Sequence, residues 1–291
     1  LPKNPALKLY ATQYKKLMLI PIIMLIISIG IISLNFTQTG NIMDFGVSIT
    51  GGVSVTLDSV SDFNPDDIEA SFNTRFPDAD IVVRKLISED STGIYLEASR
   101  IKSPELLDAL EDEFGELDVY SVEETGSTLG ESFFRQSFYA LIFAFILMGV
   151  VVFISFRTVV PSLAVILSAF FDIVVTMAIV NLLGIRVSTA GLAAFLMLIG
   201  YSVDTDVLLA SRLIKSKGHT LDKLFRAMRT GLMMTVTTIA AVSTVILFSQ
   251  SAVLTQIMSI LVIGLVVDMV STWLQNAAML RIYLENKKHK S

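Results

Sequence analysis

Residues 159–212 hold two apolar runs, 159–184 and 187–211, joined by a turn of a few residues. Crossing the hydrocarbon core of a bilayer takes about 20 mostly apolar residues, and each run is long enough. Three acids lie inside the pair: Asp172, Asp204 and Asp206. A carboxylate embedded in a membrane is costly, so it marks a functional site by default. This hairpin constrains the chain more than any other stretch, and the remaining segments are read as placing, partnering or using it.

Four further runs carry the same pattern: 17–36, 133–156, 232–249 and 253–274. With 53% hydrophobic residues and a mean hydropathy of +0.68, the chain is too apolar for a soluble globule. The first run is too long for a secretory signal and no small-residue cleavage site follows it, so it reads as a retained anchor. The chain opens on Leu1 rather than Met, which points to a trimmed or processed end. Basic residues cluster before the first span (Lys3, Lys8, Lys15, Lys16), after the second (Arg157), between the fourth and fifth (Arg212 to Arg229), and after the sixth (Arg281 to Lys290). With six spans these segments share one side, which the positive-inside rule makes cytoplasmic. Both termini then lie in the cytoplasm, and residues 37–131 lie outside in a multi-pass cell-membrane protein. That external segment holds 21 of the chain's 27 Asp and Glu but only five Lys or Arg. The net charge of −5 therefore sums a basic inner face and an acidic outer domain. Nothing in it suits nucleic acid, which needs a basic surface. The absence of cysteine excludes a disulfide.

The order of signals in 37–131 predicts a small α+β domain. Residues 46–57 alternate around Gly51-Gly52, as a strand with a bend or bulge would. Asn64-Pro65-Asp66-Asp67 supplies an N-cap, a first-turn proline and first-turn acids. Ile68, Phe72 and Phe76 then form a helical stripe. Strands are expected over 80–88 and 93–99. A helix opens at Ser103-Pro104-Glu105 with its stripe on Leu106, Leu107, Leu110 and Phe114, and a last strand spans 117–122. This β-α-β-β-α-β order is the ferredoxin-like arrangement. The domain has no His, no Cys and no clustered acid-base constellation, so it reads as a binding surface or handle rather than an enzyme. The expected plan is an N-terminus and first span (1–36), the external domain (37–131), a five-helix bundle (132–277) and a basic tail (278–291).

In the fourth span Ala193, Met197, Gly200, Asp204 and Ser211 fall near one face, and small residues let helices approach closely in lipid. This turns Asp204 toward the packed bundle. Asp206, about 200° round the helix, is expected on a second, solvated surface beside Phe195, Ile199 and Ser202. The sixth span carries Asp268, Thr272, Gln275 and Asn276, and residues 215–229 read as a short basic amphipathic helix lying on headgroups. Several buried acids stepping across a membrane make a proton relay, for which Asp172, Asp204, Asp206 and Asp268 are the candidates. Alternatively each acid stays protonated against a neighbour such as Thr176, Asn181 or Thr238. No Lys or Arg lies deep in a span, so a cationic counter-group would have to come from another chain. Phe171-Asp172 and the Gly200–Asp204 stretch do not match the paired motifs of two-aspartate intramembrane proteases. No cofactor or metal motif is present.

One span, a Gly51-Gly52 strand in an external domain, five more spans, Asp172, Ile199-Gly200-Tyr201-Ser202, Arg229-Thr230 and Ile263-Gly264 together resemble the SecF family of protein-export subunits. The resemblance runs over nearly the whole chain and is strongest from Asp172 to Arg229. It implies half of a transporter-like fold related to proton-driven exporters of the RND type. It also implies a SecD-like partner, the Sec channel and a translocating polypeptide as contacts, and the proton motive force as a drive. Where bacterial members tend to read Gly-Tyr-Ser-x-Asn-Asp, this chain has Val203-Asp204-Thr205-Asp206 after Ser202, an acid on either side of the usual position. Asp268 stands where many relatives have small residues, and the pattern is closer to archaeal members. A passive translocon scaffold, or an RND-type exporter of small molecules or lipids, is the alternative.

Overall fold

The computed structural model describes residues 5–57, 63–87, 92–115, 120–249 and 251–288. The chain enters through α1 (Pro5–Leu17) and α2 (Leu19–Thr39), then turns into a short α3 (Val47–Thr50). The inserted domain follows as β1 (Gly52–Leu57), α4 (Pro65–Arg75), β2 (Ile81–Ile87), β3 (Thr92–Ala98), α5 (Ser103–Phe114) and β4 (Tyr120–Thr125). The bundle is α6 (Ser127–Phe156), α7 (Val159–Leu182), α8 (Thr189–Lys215), α9 (Thr220–Phe248) and α10 (Ala252–Val270). A π-helical segment, Ser271–Asn276, joins α10 to α11 (Ala277–Lys288). Six helices among the described residues are long and apolar enough to cross a membrane, as the hydropathy pattern predicts.

In the domain the four strands lie in the order β2-β3-β1-β4, every neighbouring pair antiparallel. The expected β-α-β-β-α-β topology is present. Val53, Val55, Leu57, Ile81, Val83, Ile94, Leu96 and Ala98 meet Ile68 and Phe72 of α4 and Leu106 and Leu110 of α5 in one core. Period-2 alternation sends Ser54, Thr56, Tyr95 and Glu97 to the opposite face. Asn64 caps α4 by accepting from the Asp66 N–H at 3.3 Å. Lys102, not Ser103, takes the N-cap position of α5, with no side-chain cap. The last strand begins at Tyr120; residues 116–119, Ser88 and Ser91, which the sequence reading included in strands or turns, lie outside the described residues.

Two expectations about local structure are corrected. Residues 46–57 are not one bent strand. Gly46 accepts from the N–H groups of Ile49 and Thr50 to make the turn of α3, and only then does β1 begin. Gly51 and Gly52, at φ +86° and +147°, form the reversal between them. A Cβ on Gly52 would sit 2.4 Å from the Ala98 carbonyl oxygen, so side chains are excluded there. Residues 215–229 are not a separate surface helix: from Thr220 they are the first turns of α9, a single 29-residue helix. The sixth span also carries the π segment, Ser271–Asn276.

α7 is the buried axis of the bundle, with Ala164, Val165, Ala169, Phe171 and Val175 enclosed. The outward faces of α2 and α6 are apolar and exposed, for instance Ile22, Ile26, Phe143 and Ile146. Such a belt is stable facing lipid, not water. The domain is tied to the bundle at the α7–α8 turn. Phe45 bridges Val187 in parallel, Gly46 N–H donates to the Val187 carbonyl at 3.0 Å, and Arg186 pairs with Asp80 at 2.8 Å. Arg84 donates to the Gly184 carbonyl at 3.2 Å. Between the open face of the sheet and these helix ends lies a cavity of about 420 Å³ lined in part by Arg84, Tyr95, Ile185, Val253 and Gln256. Tyr95 donates to Glu97 Oε1 at 3.2 Å, and burial raises its phenol pKa above the ordinary value.

Candidate functional site

Three apolar helices each deliver one carboxyl to the same buried cluster. Asp172 of α7, Asp206 of α8 and Asp268 of α10 are all fully buried. The helical periodicity of α8 puts Asp206 there: the buried positions Phe195, Ile199, Ser202, Asp206, Leu209 and Leu213 follow one another at three and four residues.

The expected placements of Asp204 and Asp206 are thereby exchanged. Ala193, Met197, Gly200, Tyr201 and Asp204 are exposed, on a face that no helix among the described residues covers. The bundle packs on the bulkier stripe of Phe195, Leu198 and Ile199, which buries more apolar surface than the small residues could. Within the Gly200-Tyr201-Ser202 motif only Ser202 enters the site. Gly200 has open space where a Cβ would stand, and Gly51 and Gly52 serve the reversal between α3 and β1 described above.

Hydroxyl and amide donors surround the acids. Ser202 donates to Asp172 Oδ2 at 2.5 Å and Ser271 to Asp172 Oδ1 at 2.5 Å. Thr272 lies between two carboxyls, 2.9 Å from Asp206 Oδ1 and 3.1 Å from Asp268 Oδ1. Asn276 Nδ2 donates to Asp206 Oδ1 at 2.6 Å. The second oxygens of Asp206 and Asp268 are buried without a partner. No Lys, Arg or His among the described residues adds to the electrostatics of the three carboxyls.

This donor count has a chemical consequence. A threonine hydroxyl carries one proton and can donate only once. Placed between two carboxyl oxygens, Thr272 can give its proton to only one of them at a time, and it accepts from the other when that carboxyl is protonated. Asn276 already serves Asp206 as donor, so the arrangement accommodates a proton shared between Asp206 and Asp268. Ser271 stands at a similar branch, 2.5 Å from Asp172 and 3.1 Å from the Asp268 carbonyl oxygen. At Thr272 a proton can change carboxyl if the hydroxyl accepts it from one acid while giving its own proton to the other, and then rotates back; Ser271, whose second partner is a backbone carbonyl, can only turn its donation away from Asp172.

Thr272 and Asn276 stand out as polar in the sequence, but their acceptors are not legible there. Ser271 and the bonding role of Ser202 were missed. The available signal was Asp268 followed by hydroxyls at i+3 and i+4 and an amide at i+8. The neighbours proposed for solitary acids do not serve them: Thr238 donates to the Met234 carbonyl and Asn181 to that of Ile42, while the Thr176 hydroxyl has no partner.

The fold and the site define a class: a six-span α-helical membrane protein with a βαββαβ insertion after its first span and buried acids on its third, fourth and sixth spans. The family described as protein export membrane protein SecD/SecF, C-terminal, matches residues 106–286. The chain is 38% identical over 275 residues to the protein-export membrane protein SecF of Methanolacinia petrolearia, covering 93% of this chain and 94% of that protein. It is 36% identical to the SecF of Pyrococcus furiosus, with 95% and 93% covered. The crystal structure of SecDF, a translocon-associated membrane protein from Thermus thermophilus, superposes with a TM-score of 0.72 at 18% identity, covering 98% of this chain and 39% of that one. The chain thus spans under two fifths of the SecDF polypeptide, and the likeness there is one of fold. The chain belongs to the SecF family: it is a SecF-like, multi-pass membrane subunit of protein translocation.

Proposed function

We propose that the Asp172–Asp206–Asp268 cluster takes up and releases protons in step with polypeptide export, the chain working beside a SecD-like subunit at the Sec channel. The observation that carries this reading is the hydroxyl of Thr272 between two buried carboxyls, on which no Lys, Arg or His among the described residues acts. Three negative charges in such a pocket would be prohibitively expensive, and protons are the ligands that relieve them. A change in proton number changes which donors each acid holds, and so which spacing of α7, α8 and α10 is preferred. The domain, bonded to the α7–α8 turn through Val187, Gly184 and Arg186, carries such a movement to the emerging chain.

Charge distribution supports cytoplasmic termini with residues 37–131 outside. A partner subunit is supported by Asp204. It lies within an apolar span yet is exposed on the chain's own surface, where lipid is a poor neighbour and a second helix with a donor side chain a good one. The test is precursor export in cells carrying Asp172→Asn or Asp206→Asn, with and without the proton gradient. Each variant should lose the gradient-stimulated part of export, roughly tenfold, while the complex still co-purifies. Normal stimulation in both, or a defect explained by lost assembly, would favour a passive scaffold.

A further inference from the structure

The π segment places the donors. In an α-helix Asn276 would lie about 140° round the axis from Ser271, and the two could not face one pocket. With i→i+5 bonding they stack, and Thr272 stands beside them. The register is set where the Ala277 N–H bonds the Thr272 carbonyl, one residue behind its α-helical acceptor, Trp273. The displaced Trp273 carbonyl receives instead the hydroxyl of Tyr10, at 2.5 Å. Tyr10 lies 263 residues away, on α1. That helix is clamped to α11: Arg281 donates to the Ala11 carbonyl at 2.7 Å, its guanidinium lies 3.9 Å from the Tyr14 ring centroid, and Tyr14 donates to Glu285 at 2.5 Å. On its far side the Trp273 ring presses on α9, 2.4 Å from where a Gly231 Cβ would be. Its indole N–H is buried with no partner.

We propose that Tyr10 is a positioning residue for the carboxyl cluster: by holding the Trp273 carbonyl it maintains the π register that offers Ser271, Thr272 and Asn276 to the three acids. The inference rests on the reading that the cluster exchanges protons. The N-terminal helix is then a lever on that exchange, since withdrawing Tyr10 lets the segment relax toward an α register and takes donors from all three carboxyls at once. The titratable groups facing the pocket are Asp172 from α7, Asp206 from α8 and Asp268 from α10; the π segment adds only hydroxyls and an amide, and α9 faces Trp273 with Gly231. Around Tyr10 the charged groups are Arg281 and, beyond Tyr14, Glu285 and Lys15.

Trp273 is the chain's single tryptophan, so its fluorescence reports on the segment without labelling. The full chain in lipid nanodiscs is titrated with acid and base while Trp273 emission is recorded. The wild type should show a pH-dependent change that Asp172→Asn/Asp206→Asn/Asp268→Asn abolishes. If the triple variant titrates like the wild type, proton exchange at the cluster fails, and this inference with it. Given that control, Tyr10→Phe should move the midpoint by at least about 0.5 pH unit, a threefold change in proton binding. Arg281→Gln, which leaves Tyr10 in place but loosens its helix, should move it the same way and keeps the test open if Tyr10→Phe does not fold. Midpoints unchanged in the folded variants, even with lowered thermal stability, would make Tyr10 merely structural and overturn the proposal.

Discussion

Two aspartates two residues apart, Asp204 and Asp206, have opposite environments. Asp206 is fully buried with Asn276 and Thr272 on one of its oxygens; Asp204 faces outward from the same helix. Their substitutions should separate cleanly. Asp204→Asn should leave the stability of the isolated chain within about 0.5 kcal/mol, as for surface changes generally, yet weaken co-purification with a second membrane subunit. Asp206→Asn should leave co-purification intact and perturb the isolated chain. Thermal melts in detergent and quantitative pull-downs check both halves. The sequence showed that acids sit in the spans but not which way they turn. The small-residue stripe through Gly200 and the bulky stripe through Phe195 are both credible packing faces, and only the contact with α7 and α10 decides between them.

At the level of elements, legibility followed the length and regularity of the pattern. The six apolar helices and the order β1-α4-β2-β3-α5-β4 could be read from periodicity, caps and turn residues because each signal repeats over many positions. What escaped is set by tertiary contact. α3 forms where Gly46 pairs with Val187 across 141 positions of chain, and the π segment lies where Tyr10, 263 positions away, takes the Trp273 carbonyl. Close approach at glycines makes the first of these testable. A Cβ on Gly130, in the first turn of α6, would lie 2.1 Å from the Ile49 carbonyl oxygen of α3. Gly130→Ala should therefore destabilise the chain by about 1–3 kcal/mol through forced backbone movement. Gly126→Ala, with open space around it, is the matched control and should change stability far less in the same melts.

For the whole molecule, the question is how the outer domain follows the bundle. The Arg186–Asp80 pair is a single contact whose Asp80 side chain is 66% exposed, so it contributes at most about 1 kcal/mol. Its value lies in orientation. Arg186→Ala should leave the melting temperature almost unchanged while broadening the distance distribution between spin labels on the domain and on α6, measured by pulsed electron resonance. A distribution as narrow as the wild type's would mean that the strand-like pairing at Phe45 and Val187 suffices. Motion of this junction matters only if protons drive it. The most direct measurement is therefore infrared spectroscopy of the purified chain in lipid as pH is changed, following the carbonyl band of protonated carboxyls. The account predicts a pH-dependent band that weakens in each of Asp172→Asn, Asp206→Asn and Asp268→Asn and survives in Asp204→Asn. A spectrum in which no such band depends on the buried three would contradict it.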